Sequence, residues 1–190
     1  MGMKVLTKEE FHINKFSHLD ALKDGALFIH PTDTIYGIGC DATNNDAVKK
    51  LRDAKQRPSM PFSVIAPSKE WILEHCVVPE SGKHWLDKLP GAYTLIFKTK
   101  NDCVASEVNN NSETLGVRIP DHWVSDVVAE FGRPFVTTSA NVAGRQPMAQ
   151  LEDLHEPLKK ATDFVVYEGK KAGRPSTIID LTDGEKVVER

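Results

Sequence analysis

Four places in this sequence carry residue types suited to holding anions. Thr32-Asp33-Thr34 follows an apolar run that stops at Pro31, and Lys55 and Arg57 stand just before Pro58. Thr137-Thr138-Ser139-Ala140-Asn141 ends a second apolar run, and Arg118 sits between Val117 and Ile119 in a third. Hydroxyls and amides can orient phosphate or carboxylate oxygens, while cations add charge-assisted hydrogen bonds of roughly 1.5 to 3 kcal/mol each. These loops offer no Ser-His-Asp or Cys-His arrangement, so covalent catalysis is not indicated. The chemistry within reach is the positioning and neutralising of several anions together.

Each feature also has a purely structural reading. A cationic last helical turn complements the helix dipole, which would account for Lys55 and Arg57. An internal Asp or Glu could neutralise Arg118. The Ser139 and Asn141 run could simply cap a helix. Gly37-Ile38-Gly39-Cys40-Asp41-Ala42 fits the dinucleotide fingerprint G-x-G-x-x-A. The next helix, however, waits for Asn44, so the glycines read as close packing at a strand. No G-x-x-x-x-G-K-[ST] occurs, so any ATP would be held by side-chain cations such as Lys55, Arg57 and Arg118.

The elements that must position these groups follow from periodicity. Short strands are expected at 4–6, 26–30, 35–40, 62–66, 93–98, 114–119, 134–138, 164–167, 177–181 and 186–189. A helix to Asp24 places Phe16, Leu19 and Leu22 on one face, with Gly25 as its stop. Asn44 caps a helix whose Ala47, Leu51 and Ala54 share a face, and Ser68 caps one carrying Trp71, Ile72 and His75. Further helices are expected at 81–89, from an Asp121 cap to Phe131, and at 151–160 with a break at Pro157. The stretch 101–113 reads as a mobile loop and 169–175 as a basic flexible one. Strand pairs with no helix between them, 26–30 with 35–40 and 177–181 with 186–189, would be antiparallel. The expected fold is therefore a single α/β domain with a twisted, mixed parallel and antiparallel sheet flanked by helices.

Composition narrows the function classes. A chain of 190 residues suits one domain, and 40% hydrophobic with 27% charged residues is ordinary for a globular protein. No apolar run approaches the roughly 20 residues of a membrane span. The N-terminus lacks a secretory pattern, so the cytoplasm is expected. Three separated cysteines and seven scattered histidines suggest neither disulfides nor a metal site. A net charge of −3 gives no overall basic field, so any RNA contact must be local.

Taken in order, PTDTIYGIGCDA (31–42), KQRP (55–58), P-G-x-x-T-L (90–95), GVRIPDH (116–122), TSAN-x-x-G (138–144) and PSTIIDLT (175–182) resemble the YrdC-like threonylcarbamoyl-AMP synthase family, from about Ala26 to the C-terminus. The resemblance implies a concave, positively charged cavity. It also implies a nucleotidyltransferase reaction in which L-threonine, bicarbonate and ATP give threonylcarbamoyl-AMP and pyrophosphate for tRNA threonylcarbamoyladenosine modification. By resemblance, Lys55, Arg57, Ser139 and Asn141 are catalytic, and Thr34, Arg118, Ser139 and Ser176 hold threonine. Lys55, Arg57, Thr114, Asn141 and Arg190 face ATP, whose Mg2+ arrives with it. Implied partners are tRNA or double-stranded RNA and the proteins that transfer the threonylcarbamoyl group to tRNA.

Three departures stand out. PSMPF (58–62) is one residue shorter than the family's usual form, Ile65 replaces a common histidine, and the sequence given carries no extra C-terminal domain, as in the short, stand-alone type. Other readings are a non-catalytic double-stranded RNA or tRNA module, and carbamoyl transfer as in the related domain of hydrogenase-maturation proteins.

Overall fold

In the computed structural model, which describes residues 3–188, strands and short helices alternate around one sheet. Arg190, expected at the nucleotide, lies outside the described residues. The strands are β1 (Lys4–Leu6), β2 (Phe28–His30), β3 (Gly37–Gly39), β4 (Ser63–Ile65), β5 (Cys76–Val77), β6 (Tyr93–Thr99), β7 (Thr114–Arg118), β8 (Phe135–Ser139), β9 (Phe164–Val166), β10 (Thr177–Asp180) and β11 (Lys186–Val188). The helices are α1 (Lys8–Ile13), α2 (Lys15–Lys23), α3 (Asn45–Lys55), α4 (Lys69–His75), α5 (Lys83–Asp87), α6 (Ser106–Asn109), α7 (Val124–Phe131) and α8 (Glu156–Ala161).

Strand order is β1-β9-β2-β3-β8-β4-β7-β6-β10-β11, with β5 paired to β6. The sheet is mixed. The two pairs expected to be antiparallel, β2 with β3 and β10 with β11, are so, while β4 with β7 and β6 with β10 are parallel.

Alternation along the strands divides the buried side chains into two clusters. One face carries Ile29, Ile38, Val64, Leu95, Val117 and Val136, packed with Val48 and Leu51 of α3, Ile72 of α4 and Leu158 of α8. The other face is split along its length. Phe28, Ile65, Phe135 and Phe164 pack under Leu19 and Leu22 of α2 and Val124, Val127 and Phe131 of α7. Farther along the same strands, the pairs Ser63 with Gly116 and Ser63 with Thr137 bring small and hydroxylated residues together. Ser63, Gly116 and Thr137 line a cavity.

Local signals act largely as the sequence implies. The Asn44 side chain accepts a hydrogen bond from the Ala47 N–H at the start of α3, and Ser68 does the same for Trp71 in α4. Gly25 adopts a positive φ of 93° just past α2.

Four local expectations change. Phe16 is exposed while Leu19 and Leu22 are buried: all three lie in α2, where each three-residue step drifts by about 60°, so Phe16 turns away from the face of Leu22. Asp121 does not cap α7, which begins at Val124 after Trp123. The Asp121 N–H instead donates to Asp33. The stretch 101–113 contains α6 and buries Val108 and Asn109, with Asn109 Nδ2 donating to the Ser112 and Thr114 carbonyls. Segment 81–89 divides into a 3-10 turn and α5.

The glycines of the apparent dinucleotide fingerprint are packing residues. Gly37 and Gly39 lie in β3, paired with both β2 and β8. A Cβ on Gly39 would meet the Val136 carbonyl, and one on Gly37 would stand 2.8 Å from the His30 ring. Gly39→Ala is therefore expected to destabilise the fold by at least ~2 kcal/mol, since backbone cannot yield as a side chain would. Gly184→Ala, at a positive φ of 87° with open space around it, should cost only about 1 kcal/mol. Urea denaturation of the two variants checks the contrast.

Candidate functional site

The cavity has two compartments sharing a wall. The inner one, about 370 Å³ including space open to solvent, is lined by Thr32, Thr34 and Gly37 on one side, with Thr94, Arg118 and Ser176 also contributing. The outer one, about 1210 Å³ on the same basis, is lined by Arg57, Met60, Phe62, Ile96, Thr114 and Ile178 among others. Ser63, Thr137, Thr138 and Ser139 belong to both. A small hydroxyl-rich recess thus opens into a larger and more apolar one.

Arg118 organises the recess. Its Nη2 donates to Asp33 Oδ1 at 2.6 Å and reaches Thr34 Oγ1 at 3.5 Å. The pair is nearly dry, with side-chain exposures of 8% and 11%, so the buried cation has an internal carboxylate partner. Asp33 Oδ2 also accepts the Asp121 N–H at 3.0 Å, which ties the 31–34 turn to the loop after β7. Within the turn, Thr32 Oγ1 donates to the Ile35 carbonyl at 2.7 Å and accepts the Thr34 N–H. Thr34 Oγ1 lies 3.0 Å from Thr32 Oγ1. Arg118 is thus bonded to this turn through side chains, and Lys171 reaches its Thr32 carbonyl.

The segment 168–176 lies across the recess. Lys171 Nζ donates to the Thr32 carbonyl at 3.1 Å, and Tyr36 Oη donates to the Gly169 carbonyl at 2.6 Å. Gly173 approaches the Thr34 carbonyl so closely that any Cβ would collide with it. Ser176, at the far end, is buried and shares a hydrogen bond of 2.7 Å with Thr94. The basic stretch expected to be flexible is thus fastened at three points.

Lys55 and Arg57 part company at the end of α3. Between them Gln56 takes the left-handed conformation, φ 52°, and reverses the chain. Lys55 is buried, and its Nζ donates to the Asn141 carbonyl at 2.8 Å, to the Ser139 carbonyl and, at 3.5 Å, to Asn141 Oδ1. Burial, and secondarily the neighbouring Arg57, lowers its pKa to about 7. Asn141 is shaped by the same network: Oδ1 accepts from Ser139 Oγ at 2.5 Å and Nδ2 donates to the Arg145 carbonyl at 2.6 Å. The bonds described for Lys55 and Asn141 run to each other and to the 139–145 loop. Arg57 faces the outer compartment, with Nη1 donating to Thr138 Oγ1 at 3.3 Å and Nη2 to the Pro61 carbonyl at 2.9 Å. Its guanidinium lies 5.2 Å from the centre of the Phe62 ring.

Of the residues singled out in the sequence, Thr34, Arg118, Ser139 and Ser176 meet in the inner compartment, and Arg57, Thr114 and Ser139 in the outer. Ile65, in place of the common histidine, is opposite Arg118 in register and packs in the apolar cluster with Phe135. Ser63 and Thr94 also line the cavity and were not singled out in the sequence. A signal existed for Ser63, the lone hydroxyl of an otherwise apolar strand.

The match of the Sua5/YciO/YrdC family model, described as telomere recombination, covers residues 20–190. The chain belongs to that family. A Vibrio parahaemolyticus protein named threonylcarbamoyl-AMP synthase is 35% identical over 170 residues, covering 85% of this chain and 91% of the relative. The Bacillus subtilis protein of the same name is 32% identical, covering 89% of this chain and 50% of the relative. The structure of P. abyssi Sua5 complexed with L-threonine superposes with a TM-score of 0.83 at 24% identity, over 95% of this chain and 54% of that one. That likeness shows that the fold is shared with the matched part of the Sua5 chain.

Asp33 supplies a carboxylate that neutralises the buried Arg118 guanidinium. Asp33→Ala should therefore destabilise the protein by roughly 3 to 5 kcal/mol, whereas Asp33→Asn, which keeps an acceptor, should lose less. Thermal and urea unfolding of both variants measures the difference.

Proposed function

We propose that the chain is an L-threonylcarbamoyl-AMP synthase, a nucleotidyltransferase that joins L-threonine, bicarbonate and ATP. The observation that carries the proposal is the pair of compartments sharing Ser139, Thr137 and Thr138. One is small, rich in hydroxyls and holds Arg118. The other is larger, partly apolar and edged by Arg57. Relatives named for this synthesis match most of the chain.

In this reading the amino acid occupies the recess, its carboxylate directed to Arg118 and hydrogen-bonded by Thr34 and Ser176. Its amino group lies at the shared wall, near Ser139. There the free amine attacks bicarbonate or CO2, forming the C–N bond of a carbamate and releasing water when bicarbonate is the source, or a proton to solvent when CO2 is. A carbamate oxygen then attacks the α-phosphorus of ATP, and the bond to the β-phosphate oxygen breaks as pyrophosphate leaves. No side-chain nucleophile is needed. The protein contributes orientation and charge.

ATP lies in the outer compartment with its base on the apolar lining of Phe62, Ile96 and Ile178, and with Thr114 and Arg57 beside it. Arg57 meets the phosphates directly, while Lys55 fixes the Ser139–Asn141 loop and adds its charge from behind it. Arg190 and Asn141 complete the nucleotide contacts proposed from the family pattern. Among the described residues no group of three or more His, Cys, Asp or Glu could hold a metal ion, and Mg2+ is taken to enter as part of the nucleotide substrate. No helix among the described residues is long and apolar enough to cross a membrane. The proposed setting is the cytoplasm, with tRNA and the proteins that consume the adenylate as partners.

With threonine, bicarbonate and Mg-ATP the protein should release pyrophosphate, and Arg118→Ala should reduce that release at least tenfold while raising the KM for threonine. Release that does not depend on threonine would refute the assignment, and salt-sensitive RNA binding without turnover would favour a binding module instead.

A second test uses Lys55. A triphosphate near an ammonium lowered to about 7 raises its pKa again, so ATP binding should take up protons at and above pH 7. That uptake should vanish well below pH 7, where Lys55 is already charged. Titration calorimetry in buffers of different ionisation enthalpy reads the uptake, and Lys55→Met should remove the Lys55 contribution.

A further inference from the structure

Behind one wall of the recess lies a histidine with no part in the scheme above. His30 ends β2, is fully buried, and lies against Phe28 with ring centres 4.8 Å apart and the planes tilted by 34°. Its ring lies over β3 where Gly37 and Gly39 leave no side chains in the way. Nδ1 is 3.4 Å from the Pro31 carbonyl. A carbonyl only accepts, so the proton sits on Nδ1 and Nε2 carries a lone pair. Burial holds the imidazole neutral, its pKa lowered to about 3. Nε2 finds no hydrogen-bond partner among the described residues, and leaving a buried acceptor unpaired costs roughly 1 to 3 kcal/mol.

A cavity hydroxyl on this side belongs to Thr137. A Cβ built on Gly37 would stand 3.0 Å from His30 Nε2 and 3.1 Å from Thr137 Oγ1. The acceptor and the hydroxyl therefore flank one small gap that glycine keeps open. Gly37 belongs to the inner compartment alone, whereas Thr137 belongs to the wall shared with the outer one.

We propose that His30 is a positioning residue for the amino acid: its Nε2 accepts a hydrogen bond from the Thr137 hydroxyl when the recess is filled, turning the Thr137 oxygen lone pairs toward the substrate amino group. Without that acceptor, the Thr137 hydroxyl is as free to point its proton at the amine as its lone pairs. With it, the wall at which carbamate forms presents an acceptor. An acceptor directs an amine proton to itself and so fixes where the nitrogen lone pair points, toward the bicarbonate carbon. The two steps use one small rotation of Thr137, and no proton leaves His30. This inference rests on the synthase reading.

The test compares His30→Phe, His30→Gln and Thr137→Val, and both double variants, in threonine-dependent pyrophosphate release and in threonine titration. His30→Phe keeps the aromatic packing but removes the acceptor, and it should raise the threonine KM five- to twentyfold with the ATP KM unchanged. His30→Gln, which can place an amide oxygen near Nε2, should recover at least half of that loss on a logarithmic scale. In the Thr137→Val background, neither change at position 30 should have a further effect. Multiplicative losses in the double variants, an equal rise in both KM values, or wild-type threonine binding by His30→Phe would each overturn the inference. If His30→Phe does not fold, His30→Gln and its double with Thr137→Val decide by the same additivity criterion. A wild-type protein with no threonine-dependent turnover would overturn the synthase reading itself, a result distinct from any of these.

Discussion

The ion pair between Arg118 and Asp33 is the interaction on which the site depends. It joins the fourth residue after Ile29 to the last residue of β7, and Asp33 also accepts the Asp121 N–H beyond that strand. Charges so nearly dry persist only when both are hydrogen-bonded, and here each is. The pair sets the position of the 32–34 turn. That turn in turn receives Lys171 and the close approach of Gly173, so the segment closing the recess is placed by a contact made on the opposite wall.

A second constraint comes from coverage of the sheet. Helices α2 and α7 cover only part of one face, against Phe28, Ile65 and Phe135. Beyond that point the strands carry Ser63, Gly116, Thr137 and Thr94, whose small size and polarity suit a solvated concavity better than a core. The change from aromatic to hydroxylated residues along single strands, Phe135 to Thr137 in β8 for example, draws the border between core and site. Arg118 stands close to that border, opposite Ile65. This explains how a cation can sit in a strand that is otherwise apolar.

Much of this was legible in the sequence where the signal is local. The Asn44 and Ser68 caps, the Gly25 stop, the mixed sheet and its two hairpin-like pairs follow from residue pattern alone. The grouping of Thr34, Arg118, Ser139 and Ser176 came instead from the family resemblance, which rests on a set of separated motifs in fixed order. What was hidden depends on contacts between distant segments. Arg118 could have been neutralised by any acid, and nothing near it in sequence names Asp33. Lys55 reads as a phosphate ligand or a helix-end charge, yet its bonds go to carbonyls 84 and 86 residues away. The exposure of Phe16 went unseen because a three-residue spacing only approximates the helical period and drifts off the buried face within two steps.

The left-handed turn at Gln56 separates two cations that the sequence sets one residue apart. In an extended segment their side chains would point to one face, and in a helix to opposite ones. Here one cation is committed to the architecture of a loop and the other to the open space that loop borders. Position 56 consequently constrains geometry more than chemistry: glycine or asparagine can take that conformation, while a β-branched residue resists it. A change there would act as a joint altered between two fingers, disturbing the internal clasp and the outward grip in the same movement.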